Sequence, residues 1–533
     1  MRSVGSVAVT VMALTLTSRL IGFGRSLVFS KTVGDTCLGD AYNAANLLPN
    51  VLFEIVAGGV LAGVVVPVVA RHVGAQRDRA ASETSSALVT WTLLVLTPAA
   101  LVALLGAARY GSVFSAASCP DGAATVAALL VMFVPQLWLY GLAVLSAGIL
   151  QAHSRFVAAA LGPLVSSVVV IAAYLVYAQL AAPRAATDLS QVSAEALRVL
   201  GWGTTLGVGA LALSTLVPLG RLGLRLRPRL RFADGDVTVV RAIAAAGLAG
   251  LVMQQLSLLL VSWAAKQTSD PGALTRYSWA NALYLLPYAV LVAPLLQMVF
   301  PRLSAAAEQG SGAVAAVLGR TGPAVVVLAS LGSALLAATA VPVARVFVLG
   351  PGSGRTAALA WPIAAFAPAV VGFALLGLAS RTLLAQQLAR SAGLATVVAW
   401  GVVIATVLAL RVLVPAEWVV PALSASVSIG MVAGAATGWL LVRRSLAAGA
   451  SLGLARPLAV SLPAALVAGG AVAWLSLRLV DVSLPAAVLG AFGCAAGCAV
   501  VFLGLLGLLD RRLVRDLWAL RGGGSRPAER VAR

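Results

Sequence analysis

Long apolar runs, separated by short polar breaks, repeat from one end of the chain to the other. Each run is close to the roughly 20 residues that a helix needs to cross a hydrocarbon core of about 30 Å. The runs are continuous and do not alternate in polarity as barrel strands do, so they predict helices. About fourteen are expected, at residues 6–30, 41–70, 87–108, 123–151, 157–181, 197–219, 242–265, 277–301, 322–344, 357–380, 391–411, 419–442, 457–477 and 484–509.

The spacing of these runs predicts an all-α polytopic membrane protein built from two six-helix lobes and a final helix pair. The second helix of each lobe contains Leu-Leu-Pro, at 47–49 and at 285–287, which is a faint sign of an internal repeat. Paired bundles of this kind are typical of secondary transporters. The predicted segments are an N-terminal lobe 1–219, a basic cytoplasmic loop 220–241, a C-terminal lobe 242–442, the helix pair 443–509 and a basic cytoplasmic tail 510–533.

Composition and charge agree with a membrane location. The chain is 61% hydrophobic and only 10% charged, with a mean hydropathy of +1.00 and a net charge of +20. Most of its 37 Lys and Arg residues fall on one set of loops, which predicts a multi-pass plasma-membrane protein with both termini in the cytoplasm. The densest basic stretch, 220–231, is expected to bind anionic membrane lipids and not nucleic acid.

The sequence lacks the patterns of a membrane enzyme. It contains no His-x-x-Glu or Cys-x-x-Cys motif, and both His72 and His153 fall at predicted cytoplasmic helix ends. The single Asp-x-Asp, at 234–236, is better explained as a turn before a helix. We therefore expect no catalytic residues, no metal site and no cofactor.

Two arginines lie inside the first apolar run, in Ser-Arg-Leu-Ile-Gly-Phe-Gly-Arg at 18–25. A charge at that depth costs on the order of 3 kcal/mol and is tolerated where it faces a bundle interior or a wet cavity. Gly22 and Gly24 could bend the helix and bring Arg19 and Arg25 toward one cavity. For Arg25 the alternative is that its side chain extends to the outer interface.

Glu54 is the only acidic residue predicted to lie deep in a span. It is either a counter-ion for Arg19 or Arg25, or a group that couples transport to substrate or protons. One acid against two bases leaves a net positive cavity, and a positive cavity favours an anionic substrate.

Six segments of the N-terminal part of the chain form a set: Ser-Arg-Leu-Ile-Gly-Phe-Gly-Arg (18–25), Gly-Asp (39–40), Leu-Pro-Asn (48–50), Ala-Gly-Gly (57–59), Val-Val-Pro (65–67) and Ala-Gly-Ile-Leu-Gln-Ala-His-Ser-Arg-Phe (147–156). Together they resemble the signature of the MurJ (MviN) family. These are the lipid II flippases of the MOP transporter superfamily. The resemblance implies alternating-access transport of an undecaprenyl-pyrophosphate-linked precursor from the cytoplasmic to the outer leaflet, for peptidoglycan synthesis and cell shape. It makes this lipid-linked glycan precursor the expected partner, with cell-wall synthesis proteins as further candidates.

Carried over by position, the family's cavity arginines correspond to Arg19 and Arg25, and its acidic residue at the second helix corresponds to Asp40. Ser18, Asn50 and Glu54 complete the expected substrate site, with Gly22, Gly24 and Pro49 as structural or hinge positions.

The chain also departs from the family pattern. Phe53 stands where family members often carry a basic residue, and Trp-Ala-Asn-Ala-Leu-Tyr-Leu-Leu-Pro (279–287) lacks the arginine common in the second lobe, with Ala282 at that place. Arg276, just upstream, could substitute. Two alternative functions stay open: a flippase for another lipid-linked oligosaccharide, and a small-molecule exporter.

The four cysteines are too few and too widely spaced for a disulfide framework or a metal site. Cys37 and Cys119 both fall in predicted outer loops, where an oxidising compartment would allow them to form a disulfide. Cys494 and Cys498 lie in a run of small residues typical of close helix packing.

Overall fold

The computed structural model describes the backbone of residues 4–515, apart from 56–61, 117, 182–187, 225, 233–235, 267, 269, 353, 447–452 and 514. The Ala-Gly-Gly motif at 57–59 and most of the predicted tail lie outside these residues. Within them the chain is helical and contains no strand, with one isolated β-bridge between Asp35 and Gly352.

The helices closely follow the predicted apolar runs. In chain order they are α1 Val4–Thr32, α2 Cys37–Phe53, α3 Ala62–Gly74, α4 Asp78–Leu105, α5 Ala107–Phe114, α6 Gly122–Phe133, α7 Gln136–Ala152, α8 Phe156–Leu180, α9 Ala194–Gly220, α10 Asp236–Ala265, α11 Ala273–Pro287, α12 Ala293–Gln309, α13 Ser311–Val348, α14 Thr356–Ala365, α15 Ala367–Ala385, α16 Ala389–Leu413, α17 Val419–Ser445, α18 Ala455–Ser476 and α19 Leu484–Leu509. A π-helical turn, Tyr288–Val292, joins α11 to α12.

Eleven helical segments in the described part of the chain are long and apolar enough to cross a membrane. The all-helical membrane fold is therefore confirmed, whereas the total of fourteen spans stays a prediction. Several predicted helices are each built from two pieces: 41–70 contains α2 and α3, 123–151 contains α6 and α7, 277–301 contains α11 and α12, and 357–380 contains α14 and α15.

Several helix starts were placed too late by the apolar pattern, and the second and third predicted helices show why. The third predicted helix begins at Asp78, because polar residues continue the helix by local bonding: Ser86 and Thr90 donate to the carbonyls four residues back, and Arg79 pairs with Glu83. The second begins at Cys37, with the Thr36 side chain as its N-cap. Cys37 is therefore in the first turn of α2 and not in a loop.

The chain divides into two compact units. The first contains Met1–Ala282, Val346–Pro362 and Trp400–Ser426. Its interior holds an aromatic cluster in which Phe29, Tyr42, Phe133 and Tyr174 contact one another edge-on or tilted. A second apolar cluster joins α3, α4 and α7. Gly148 lets α7 approach α3 closely, since a Cβ there would come within 2.7 Å of Val65 Cγ1, and small residues generally have this role between membrane helices.

The second unit contains Leu283–Arg345, Ile363–Ala399 and Val427–Arg533. Its core brings α13, α18 and α19 together through Ala334, Ala468 and Phe502. Gly469 lets the backbone of α18 lie against Ala334, since a Cβ there would come within 3.1 Å of its Cα. The predicted division into lobes at 219 and 242 follows different boundaries from these units and stays a prediction.

Candidate functional site

A small polar cavity lies inside the first unit, with a volume of about 170 Å³. We call it the Arg25 cavity, because Arg25 is the only charged side chain among the described residues that line it. The lining residues are Arg25, Ser26, Phe29, Tyr42, Asn43, Asn46, Asn50, Tyr140, Ser166, Val170, Tyr174, Thr204, Val208, Ser278 and Trp279.

Helix periodicity on α2 supplies the amide side of this cavity. Asn43, Asn46 and Asn50 are three and four residues apart, so they share one face of the helix. The Asn43 amide donates to Thr275 Oγ1 at 3.1 Å. The Asn46 side-chain oxygen is buried and accepts no hydrogen bond from any described group. Of these three residues only Asn50 was predicted as a site residue. Asn43 and Asn46 could have been predicted as well, because polar residues at helical spacing in a largely apolar helix indicate a shared polar face.

Hydroxyl groups also line the cavity, among them those of Tyr140, Tyr174 and Thr204 from other helices. The Tyr42 hydroxyl lies 2.8 Å from the Tyr174 hydroxyl and 2.9 Å from Thr204 Oγ1, so it is already engaged within the protein. Tyr140 comes from α7, and its ring contacts the Phe53 ring with a centroid distance of 4.5 Å. Phe53, at the position where a basic residue was expected, therefore supports the cavity wall through an aromatic contact.

Arg25 and Asn50 are the two predicted site residues that the structure brings together in the cavity. Arg19 does not line it, and its side chain is exposed. Six residues separate the two arginines on α1, which is a rotation of about 120° on an ideal helix. Ser18, next to Arg19, is half-buried, and no described group bonds its hydroxyl.

The expectation that Gly22 and Gly24 gather both arginines in one cavity is not met in this structure, since only Arg25 lines the Arg25 cavity. The helix is continuous from Val4 to Thr32. A Cβ added at either glycine would meet nothing within 4 Å, so neither glycine allows a close helix contact here. The backbone hydrogen bonding of an unbroken helix keeps the two guanidinium groups on different faces.

Glu54 is also outside the cavity. It follows the last residue of α2, where its backbone N–H bonds to the carbonyls of Asn50 and Val51, and its side chain is exposed. No described ion pair joins it to Arg19 or Arg25 in this structure. Pro49 is buried within α2, one residue before Asn50.

Asp40 does not line the Arg25 cavity but bonds to another helix, which corrects its predicted place in the substrate site. Its carboxylate accepts hydrogen bonds from the Gly272 and Thr275 N–H groups, both at 2.9 Å, and from Thr275 Oγ1 at 2.8 Å. These are the free N–H groups at the start of α11, where a negative charge is favoured. Asp40 therefore fastens the beginning of α2 to the beginning of α11.

Arg276 is likewise corrected: it does not substitute for the missing cavity arginine. Only 1% of Arg276 is exposed, and its guanidinium lies 2.8 Å from Asp35 Oδ2 and 2.6 Å from Asp270 Oδ2. Arg355 also pairs with Asp270. We call Asp35, Asp270, Arg276 and Arg355 the ion cluster. Its carboxylates already hold Arg276, so this guanidinium is not available to a substrate.

Glycines allow the chain to close around the ion cluster. Gly272 and Gly352 have positive φ angles of +85° and +131°, and a Cβ on either would collide with Asp35. The structure also joins Cys37 and Cys119 by a disulfide, with their Cα atoms 5.6 Å apart. This bond lies three residues from Asp40, so the start of α2 is held by both covalent and polar contacts.

A family model described as lipid II flippase MurJ matches residues 29–486. The chain belongs to the lipid II flippase MurJ family. The family predicted from the sequence motifs is thereby confirmed, as is its character as a multi-span membrane protein. The match begins at Phe29, so the segment that carries Arg19 and Arg25 precedes it.

Curated MurJ relatives are distant. The probable lipid II flippase MurJ of Rhizobium meliloti is 29% identical over 314 residues, covering 57% of this chain and 55% of the relative. The probable lipid II flippase MurJ of Vibrio cholerae is 26% identical over 305 residues, covering 56% of each. The chain thus spans about half the length of the curated relatives it matches.

Solved structures share the fold over nearly the whole chain. A lipid II flippase MurJ in an inward closed conformation matches with a TM-score of 0.73 at 14% identity, covering 95% of this chain and 100% of that one. An inward-facing multidrug-resistance MATE transporter of the MOP superfamily matches with a TM-score of 0.65 at 11% identity, covering 82% and 97%. The chain therefore shares the all-helical fold of these MurJ and MATE structures.

Proposed function

We propose that this MurJ-family protein moves an undecaprenyl-pyrophosphate-linked cell-wall precursor, lipid II, from the cytoplasmic to the outer leaflet. The Arg25 cavity is the observation that carries the proposal. Its described lining offers one guanidinium, three asparagine side chains and no carboxylate. A partly enclosed positive site of this kind favours an anion, and the diphosphate of the precursor is the anionic part of the cargo.

Arg25 is the proposed diphosphate contact. A guanidinium can donate two parallel hydrogen bonds to phosphate oxygens, and its attraction to them is stronger in a cavity than in bulk water. Asn46 and Asn50 line the same cavity and supply neutral amide donors. Binding and release of the headgroup require no covalent step, so the residues act by holding and orienting the diphosphate.

The size of the cavity sets what it holds in this state. At about 170 Å³ it is smaller than the roughly 300–1,000 Å³ of typical small-molecule pockets. It has room for a diphosphate but not for a complete glycan headgroup. The proposed cycle therefore includes a wider state, in which alternating access exposes the site while the polyprenyl tail stays in lipid. In this wider state, we propose, Arg19 and Glu54 contact the headgroup or coupling ions.

Orientation and partners belong to the same proposal. Both termini are placed in the cytoplasm on the basis of the Lys and Arg distribution. Cell-wall synthesis proteins on the outer side are the proposed recipients of the flipped precursor, and anionic lipids are proposed neighbours of the basic connector between α9 and α10.

Two alternative cargoes are weighed against lipid II. Another lipid-linked oligosaccharide carries the same diphosphate and would use Arg25 in the same way. A small-molecule exporter is suggested by the likeness to the MATE fold. Export of cationic drugs is disfavoured, because the one charge on the described cavity lining is positive.

The proposal is tested with the full chain in liposomes that contain lipid II with a fluorescent headgroup. Arg25→Ala should lower the flipping rate at least about tenfold, the effect of losing roughly 1.4 kcal/mol of binding. Arg25→Lys should keep partial activity, since a lysine offers charge without the bidentate geometry.

Arg198→Ala is the matched control, because Arg198 is an exposed arginine of the same unit outside the cavity. Thermal unfolding of each variant checks that the fold is intact. Wild-type flipping by folded Arg25→Ala would contradict the proposed role of Arg25. Failure of the wild-type chain to rescue cells depleted of their lipid II flippase, together with active flipping of another lipid-linked glycan, would replace lipid II by that cargo.

A further inference from the structure

The connector between α9 and α10 lies along α4 in an extended conformation. The Arg227 N–H donates to Ser86 Oγ at 3.1 Å, and the Arg229 N–H donates to Thr90 Oγ1 at 3.0 Å. Alternate connector residues therefore bond hydroxyls one helical turn apart. The Trp91 indole N–H donates to the Leu230 carbonyl at 3.0 Å. The basic connector is thus fixed to α4 by specific contacts over several residues.

A groove of about 500 Å³ lies between this connector and α4. We call it the α4 groove; it is lined by Ser86, Val89, Thr90, Leu93, Leu94, Thr97, Pro98, Leu226, Arg227 and Pro228. Its lining on α4 extends from Ser86 to Pro98, which is about 18 Å at 1.5 Å per residue. The side chains along most of that length are apolar, and the one charged group is Arg227. The groove is therefore amphipathic.

The surroundings of the groove place it against lipid. α4 is one of the helices long and apolar enough to cross a membrane, and its neighbouring residues Leu94, Val95 and Leu101 are each at least half exposed. Trp91, 41% exposed, is the type of residue that marks the boundary between headgroups and hydrocarbon. The connector carrying Arg227 thus lies near the interface, and the groove extends from it toward the bilayer interior.

Of the connector arginines Arg227, Arg229 and Arg231, only Arg229 forms a described ion pair. Arg229 lies 3.0 Å from Glu83 Oε1, which also pairs with Arg79 at 3.0 Å. Arg227 and Arg231 have exposed side chains, and among the described residues no carboxylate pairs with either. Two guanidinium groups are therefore left facing the headgroup region beside an apolar groove.

We propose that the α4 groove binds an anionic phospholipid, with an acyl chain along Leu93, Leu94 and Pro98 and the phosphate at Arg227. A free phosphate ion would leave the apolar length of the groove unused, and a neutral lipid would not use the guanidinium groups. Each basic residue near a membrane surface contributes about 1 kcal/mol to the attraction of anionic lipid. This site is separate from the Arg25 cavity and does not depend on the proposed cargo.

Native mass spectrometry of the delipidated full chain tests this site, with dioleoyl phosphatidylglycerol and dioleoyl phosphatidylcholine added in equal amounts. The wild-type chain should retain phosphatidylglycerol in preference. Arg227→Gln should lower phosphatidylglycerol retention about fivefold, the equivalent of about 1 kcal/mol. Arg198→Gln, which changes an exposed arginine away from the groove, should leave retention unchanged.

A second pair of variants tests the apolar part of the site. Leu94→Trp narrows the groove and should lower lipid retention, whereas Val102→Trp changes an exposed position on the same helix outside the groove and should not. Equal retention of the two lipids by the wild type, or an Arg227→Gln variant equal to Arg198→Gln, would overturn the proposal. A loss with Arg227→Gln but none with Leu94→Trp would indicate headgroup attraction without a groove-bound chain. A dimer that disappears with Leu94→Trp would assign the groove to a second copy of the chain.

Discussion

Arg25 and Arg276 show how burial and partners decide the role of an arginine in this membrane protein. Arg25 is half-buried in a polar cavity whose described lining holds no carboxylate. Arg276 is fully buried between Asp35 and Asp270. The first guanidinium can bind an anion from outside the protein, while the second neutralises buried carboxylates of the protein itself.

The residue-scale prediction concerns the ion cluster. Arg276→Met should lower the free energy of unfolding by about 3–5 kcal/mol, because it leaves the buried Asp35 carboxylate without its guanidinium. Arg355→Met is the matched control: Arg355 contacts the same Asp270, but 58% of its side chain is exposed, so the loss should stay below about 1 kcal/mol.

Thermal unfolding in detergent measures both variants of the ion cluster. The double variant Asp35→Asn with Arg276→Met should recover part of the loss, since it removes the buried charge together with its partner. Equal destabilisation by Arg276→Met and Arg355→Met would contradict the distinction drawn between the buried and the exposed pair.

At the scale of elements, small residues and helix ends determine how the helices of each unit meet. In the first unit Asp40 fastens the start of α2 to the start of α11 through the free N–H groups of α11. In the second unit Gly372 allows α15 to lie against the backbone of α17, where a Cβ would come within 2.7 Å of the Met431 carbonyl carbon and 2.8 Å of the Val432 nitrogen. Close contact replaces hydrophobic burial as the source of packing between helices in lipid.

The element-scale prediction compares two glycines of the second unit. Gly372→Ala should destabilise the fold by about 1–3 kcal/mol, because backbone atoms of α17 must move to admit the methyl group. Gly470→Ala in α18 should be neutral or stabilising by up to about 1 kcal/mol, since a Cβ there meets nothing within 4 Å and alanine favours the helix. Thermal unfolding of the two variants side by side checks this, and an equal shift in both would be evidence against the close α15 to α17 contact.

At the scale of the whole molecule, the fold is that of MOP transporters, and the MurJ family assignment rests on most of the chain. The disulfide between Cys37 and Cys119 closes a segment of 82 residues within the first unit. It also fixes the start of α2, the helix that carries Asn43, Asn46 and Asn50 into the Arg25 cavity. Covalent restraint and site geometry are therefore linked through one helix.

The whole-molecule prediction concerns this disulfide. Without reductant, a maleimide added to denatured protein should label only Cys494 and Cys498, and with reductant it should label all four cysteines. Reduction, or Cys37→Ser with Cys119→Ser, should lower stability by about 2–4 kcal/mol, because the unfolded chain gains freedom. Labelling of all four thiols before reduction would show that the bond is absent.

The sequence by itself determined the helical membrane fold, most helix positions and the family. The reason is physical: a lipid-exposed backbone must satisfy its hydrogen bonds within each span, so apolar runs of the required length become helices. The sequence also pointed to Arg25 and Asn50, and to the pairing of Cys37 with Cys119. These features depend on local pattern, on charge that is costly in lipid, or on motifs.

Only the tertiary structure decided which polar residues meet. Asp40 contacts Thr275, 235 residues away, and Arg276 contacts Asp35, 241 residues away. Helical periodicity specifies which side chains share a face, as for Asn43, Asn46 and Asn50, but not which helix lies opposite that face. Asp40 and Arg276 were expected in the substrate site and instead hold helix ends together. Tyr140, Tyr174 and Thr204 line the Arg25 cavity, and the linear pattern could not predict that they meet there.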